Sequence, residues 1–265
     1  MIHLRVTGGG APVLLLHGAP SPIHDFKPLV GRLARRQRLL WPDLPGYGYS
    51  EPVEGKTSIA RVQTAIEDAL LAVGAQEVAV VGFGAGGYRA LSLAIGGRVR
   101  VTDLVLLGGW AAVDEQARAH FQGWIDRLRP LADAKDEKLR KDFAADVLSP
   151  RTLKARPEAG AEVAEWLDLI KPAALADELE SLLAARDLIP HVGALKVRLS
   201  ARVGALDPFG PVRASEEIVK RVHGARLEVV PDCGQALFQD DPHHTLEFLV
   251  EALKAQLAPR REREE

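Results

Sequence analysis

At 265 residues with 47% hydrophobic content, the chain can bury one full core, and a single α/β domain with an insertion accounts for its length. A formal charge of −2 supplies no electrostatic footprint for nucleic acid or an anionic membrane surface, so a small-molecule ligand or a protein is the expected partner. The single cysteine excludes an internal disulfide.

A short strand is expected almost at once, without a leader pattern of basic region, apolar stretch and cleavage site. No apolar run approaches the roughly 20 residues of a membrane span. A cytoplasmic location is therefore the expectation, with no membrane association. Strands are predicted near Val13–Leu16, Arg38–Trp41, Val78–Val81, Asp103–Leu107, Val197–Val203 and Arg226–Val230. Helices alternate with them near Phe26–Leu33, Ser58–Ala72, Ala85–Ala94, Val212–Val222 and His244–Ala258. This alternation is that of a mostly parallel sheet covered on both faces. From about Ala111 to Ile189 the strand signal disappears, and amphipathic helices punctuated by Pro130, Pro150, Pro157 and Pro172 replace it. Within that stretch Phe121, Trp124, Ile125 and Leu128 fall at i, i+3, i+4 and i+7 and form one apolar face. Packing onto the core is the plain reading of that face, and Trp124 is also a candidate ligand contact. Lys135 to Lys141 are expected to face water, and Arg260 to Glu265 to form a solvated tail.

Four segments in order carry a resemblance. They are Val13-Leu14-Leu15-Leu16-His17-Gly18-Ala19-Pro20, Asp43-Leu44-Pro45-Gly46-Tyr47-Gly48-Tyr49-Ser50, Gly82-Phe83-Gly84-Ala85-Gly86-Gly87, and Gly204-Ala205-Leu206-Asp207-Pro208-Phe209-Gly210-Pro211. Together they resemble the α/β-hydrolase superfamily, which implies a core of residues 1–110 and 190–265 with a helical lid, 111–189, inserted as part of one domain. The resemblance makes residues 17–20 the turn after the first core strand, and 82–87 the sharp strand-to-helix elbow that normally reads Gly-x-Ser-x-Gly-Gly.

Gly84 stands at the elbow's nucleophile position. A side chain there is held in a strained backbone at about 1–3 kcal/mol; glycine removes both the strain and the hydroxyl it would present. Pro231-Asp232-Cys233-Gly234-Gln235 aligns with the family's Gly-His, so Gln235 takes the general-base position. An amide neither accepts a proton near neutral pH nor forms an imidazolium. Of the acid, base and nucleophile, only Asp207 remains, and it is expected to lie behind Gln235 and accept a hydrogen bond from its amide. The oxyanion donors are backbone N–H groups, implied at Ala19 and Ala85, so polar binding survives loss of the nucleophile. His24 is a further candidate ligand contact, His17 a structural turn histidine and Cys233 a small apolar packing residue. His243 and His244 are expected to be exposed. No Cys/His spacing, P-loop or dinucleotide fingerprint occurs, so neither a metal nor a cofactor is expected.

The leading expectation is a non-hydrolytic pseudoenzyme that binds a small carbonyl- or carboxylate-containing ligand under its lid, with the oligomeric state left open. A lyase, hydratase or cyclase using the oxyanion donors and Asp207 is one alternative. An inactivated variant of an ester, lactone or carbon-carbon bond hydrolase is the other.

Overall fold

Continuous apolar runs with both faces covered dictate the centre of this molecule. In the computed structural model, which describes residues 2–52 and 57–254, seven strands form one sheet: β1 (Leu4–Thr7), β2 (Ala11–Leu16), β3 (Gln37–Pro42), β4 (Glu77–Phe83), β5 (Arg100–Leu107), β6 (Arg198–Gly204) and β7 (Arg226–Val230). Their order is β1-β3-β2-β4-β5-β6-β7. Every pairing is parallel except that of β1 with β3. Val13 to Leu16 and Ala79 to Val81 have no solvent exposure, as two-sided burial requires.

The helices are α1 (Lys27–Leu33), α2 (Ile59–Ala72), α3 (Ala85–Gly96), α4 (Glu115–Leu128), α5 (Glu137–Val147), α6 (Pro150–Ala155), α7 (Pro157–Ala164), α8 (Pro172–Leu183), α9 (Ile189–Val192), α10 (Val212–Val219), α11 (Leu237–Asp240) and α12 (Pro242–Lys254). The strands and helices expected from the sequence are present, with ends shifted by a few residues. Before α1 the chain makes a 3-10 turn, Ile23–Phe26, so the expected helix start at Phe26 is its cap. The expected residues 255–258 of the last helix and the tail 260–265 lie outside the described residues.

Between β5 and β6 the regular elements are helical, α4 to α9. Three of the four prolines that punctuate this stretch open helices, at Pro150, Pro157 and Pro172, where a missing N–H costs no intrahelical bond. The stripe Phe121, Trp124, Ile125 and Leu128 is buried. α4 packs on α8, and α5 on α7. A backbone bond ties this stretch to the segment after β7: the Ala236 N–H donates to the Val147 carbonyl at 2.8 Å. Beside it, Asp240 accepts from the Ser149 N–H and hydroxyl and from the Gly234 N–H.

The strand order reverses between β2 and β4, because the chain runs from β2 outward to β3 and then returns to the other side of β2. The carboxyl ends of β2 and β4 therefore flank a topological switch point, where open α/β sheets leave a crevice for ligands.

Candidate functional site

The turn after β2 is fixed by His17. Its buried ring accepts from the Leu44 N–H at Nε2, 3.1 Å, so the ring proton sits on Nδ1 and donates to the Gly18 carbonyl at 2.8 Å. Burial pulls its pKa down to about 4 and keeps it neutral. The Gly18 N–H donates to Ser21 Oγ at 2.7 Å. These bonds leave Ala19, half-buried, at the tip of the turn.

The turn after β4 lies alongside. A Cβ on Gly86 would overlap the Leu16 carbonyl, so only glycine lets α3 approach β2 this closely. Gly84 has φ +52° and ψ −117°, a conformation unfavourable for a residue with a Cβ. Its N–H donates to the Leu107 carbonyl at 2.8 Å, anchoring the turn to β5. Ala85 opens α3, so its N–H has no carbonyl within the helix to bond and lies at the positive end of the helix dipole.

Gln235 reaches this turn from the opposite side. Its Nε2 stands 3.2 Å from where a Cβ on Gly84 would be. The structure thus brings together positions 84 and 235, which are 151 residues apart by their numbering.

Asp207 departs from the sequence expectation. The expected hydrogen bond from Gln235 is not made: Oδ1 accepts from the Phe209 and Gly210 N–H groups, both at 2.9 Å, and buried Oδ2 has no partner. The physical reason is that the Gln235 amide is directed at Gly84, while the tight turn 207–210 satisfies Oδ1 locally. Burial pushes the Asp207 carboxyl up to about 6, against the pull of the two amide bonds and of His120.

His120 escaped the sequence reading, because it lies beside the apolar stripe of α4 and belongs to no motif. Its ring packs edge-to-face on Phe209 with centroids 4.6 Å apart, and its Nε2 is 3.2 Å from Asp146 Oδ2. Asp146 accepts from Trp124 Nε1 at 2.8 Å. Trp124 is consequently buried with its polar edge satisfied, and it packs on Phe143 and under the Arg127 guanidinium. This is packing rather than an open ligand edge.

His24 is exposed: of the two residues between buried Ile23 and Phe26, the 3-10 turn leaves His24 facing solvent and Asp25 half-buried. Cys233 is fully buried and its thiol is pushed up to about 11 by burial, which suits packing and not attack. His243 and His244 are exposed, and with Glu247 they bring ligand atoms within 4.8 Å of one another on the outer surface. Aromatic rings line the region next to Gly84: Phe83 lies edge-to-face against Trp166 and Phe238, and Phe238 against Phe26.

The 3-10 turn also carries Asp25, which accepts from Gln239 Nε2 at 3.1 Å while its Oδ2 has no partner. Burial pushes its carboxyl up to about 7, with the Gln239 bond pulling the other way. A raised folded-state pKa means the native state holds the proton more tightly than the unfolded chain. The stability it contributes is complete below about pH 4 and is lost as pH rises towards about 7. Asp25→Asn should therefore stabilise the protein at pH 8 by about 1–3 kcal/mol and flatten its stability between pH 5 and 8. Urea titrations across that range check this, and an unchanged pH slope would refute it.

The sequence profile of the Alpha/beta hydrolase family matches residues 13–247, and the chain belongs to that family. It is similar to the pimeloyl-[acyl-carrier protein] methyl ester esterase of Aromatoleum aromaticum, 30% identical over 87% of this chain and 93% of that one. The 2-hydroxymuconate semialdehyde hydrolase of Pseudomonas putida is 43% identical over a shorter stretch, 40% of this chain and 39% of that one. Among solved structures, a thermophilic esterase from Thermogutta terrifontis superposes with a TM-score of 0.83 at 22% identity, covering 96% of this chain and 93% of that one. No described helix is long and apolar enough to cross a membrane.

Proposed function

We propose that this chain is a non-hydrolytic member of its family, which holds a small carbonyl- or carboxylate-bearing molecule at the junction of β2 and β4, with the helices between β5 and β6 as its lid. The observation that carries the reading is the pair Gly84 and Gln235. Where a hydrolase needs a hydroxyl facing a base, this chain places a bare backbone facing an amide 3.2 Å from the Cβ position. An amide donates a hydrogen bond to a carbonyl oxygen without activating a nucleophile. The Ala19 and Ala85 N–H groups supply the remaining donors in this reading, and the apolar walls are Phe83, Trp166 and Phe238. The relatives named above are named for an ester and a semialdehyde, both carbonyl compounds.

A second reading rests on Asp207. A buried carboxyl with one unclaimed oxygen and a pKa raised to about 6 has the character of a group that moves a proton in a lyase, hydratase or cyclase.

The test pairs an activity assay with binding. Hydrolysis of p-nitrophenyl acetate should stay within about 10^3–10^4 of the uncatalysed rate, the residual that oxyanion donors and binding provide. Monomethyl pimelate should bind, and Gln235→Leu should weaken it about two- to tenfold, the worth of one hydrogen bond. Turnover at about 1–10^3 per second with inactivation by a phosphonate would overturn the proposal. Turnover of an enolisable keto acid that follows an apparent pKa near 6 and disappears in Asp207→Asn would replace it with the second reading.

A further inference from the structure

Away from the β2–β4 junction, Arg89 on α3 is 3% exposed. Only its Nη2 is engaged, by Glu178 on α8, and buried Nε and Nη1 have no partner. A buried donor left without an acceptor is costly, more so when it is charged, so a guanidinium in this state is poised for an acceptor. Arg89 lines a cavity of about 220 Å³ whose apolar wall includes Leu44, Val62 and Ile170 and whose lining includes exposed Lys171. That volume is roughly seven times a water's share of the liquid, about 30 Å³.

The charges facing the cavity and its immediate support are few. Arg89 is offset by Glu178; Tyr47 stays a neutral hydroxyl donating to Glu178 Oε2 at 2.6 Å; His17 is neutral; Lys171 adds one uncompensated positive charge. We propose that this cavity is a second binding site, separate from the β2–β4 junction, for a small monocarboxylate with a short apolar tail. Its carboxylate would accept a single charge-assisted hydrogen bond from the unengaged Nε or Nη1 of Arg89, its tail would lie on the wall formed by Leu44, Val62 and Ile170, and Lys171 would close the charge balance.

The experiment follows the Arg89 Nε–H resonance, assigned by its absence in Arg89→Lys, while sodium butyrate is added at constant ionic strength. Saturable movement with Kd on the order of 1 mM is expected. Lys171→Met, a surface change, should weaken binding about threefold. Arg89→Met with Glu178→Leu, followed by titration calorimetry because it lacks the Arg89 resonance, should abolish butyrate binding, and Gln235→Leu should leave it unaltered, which separates this site from the junction. No saturable movement, equal response in Lys171→Met, loss in Gln235→Leu, or tighter binding of inorganic phosphate than of butyrate would each overturn the proposal. The Arg89 resonance and Lys171→Met decide the matter even if the double variant fails to fold.

Discussion

Gly84→Ser combined with Gln235→His should hydrolyse p-nitrophenyl acetate about 10^2-fold or more faster than either single variant, the gain a positioned general base provides. A serine beside Gln235 keeps its proton, and an imidazole beside Gly84 has nothing to activate, so the gain belongs to the pair. The geometry favours it. Position 235 already overlooks position 84, with 3.2 Å between the amide and the Cβ site. Asp207 Oδ2 is buried and unclaimed, and so is free to accept the Nδ1–H of an introduced imidazole. Gly84→Ser alone should destabilise the fold by about 0.5–2 kcal/mol, because φ at this position is +52°. Esterase rates and urea midpoints on all four proteins complete the cycle. A folded but inert double variant would mean that positions 84, 207 and 235 do not form a competent constellation.

Where chemistry restricts residue type, the sequence was transparent. The apolar runs of β2 and β4 could only be covered strands, and the glycines at 82 and 86 could only mark a tight crossing, so the turn and its neighbours are legible from the chain alone. What stayed hidden depends on side-chain direction. The Asp207 carboxylate satisfies Oδ1 on its own turn and accepts no hydrogen bond from Gln235, an outcome of two local N–H groups that no spacing reveals. His24 faces solvent because a 3-10 turn has a different periodicity from the helix expected to follow it. Trp124 sat in the right stripe, but its N–H bond to Asp146 joins α4 to α5, a tertiary contact without a sequence signature.

Arg89 and Glu178 were equally invisible, lying 89 positions apart on two helices. Their energetics should be the most severe outside the junction. Both side chains are almost fully buried, at 2% and 6% exposure. Glu178→Leu strands the Arg89 charge, whose Nε and Nη1 already lack partners, and orphans the Tyr47 hydroxyl as well. The expected loss is about 3–5 kcal/mol, the cost of a buried charge deprived of its partner. Arg89→Met together with Glu178→Leu should recover most of this, because two apolar side chains of similar volume need no desolvation to be offset; the orphaned Tyr47 hydroxyl leaves a residual of about 1–3 kcal/mol. Adding Tyr47→Phe should remove that residual too. Urea unfolding of wild type, single, double and triple variants, compared at matched m-values, measures each step. A Glu178→Leu cost of only about 0–1 kcal/mol, the worth of an exposed pair, would mean that water reaches Arg89 freely and that its burial holds less charge in place than the geometry requires.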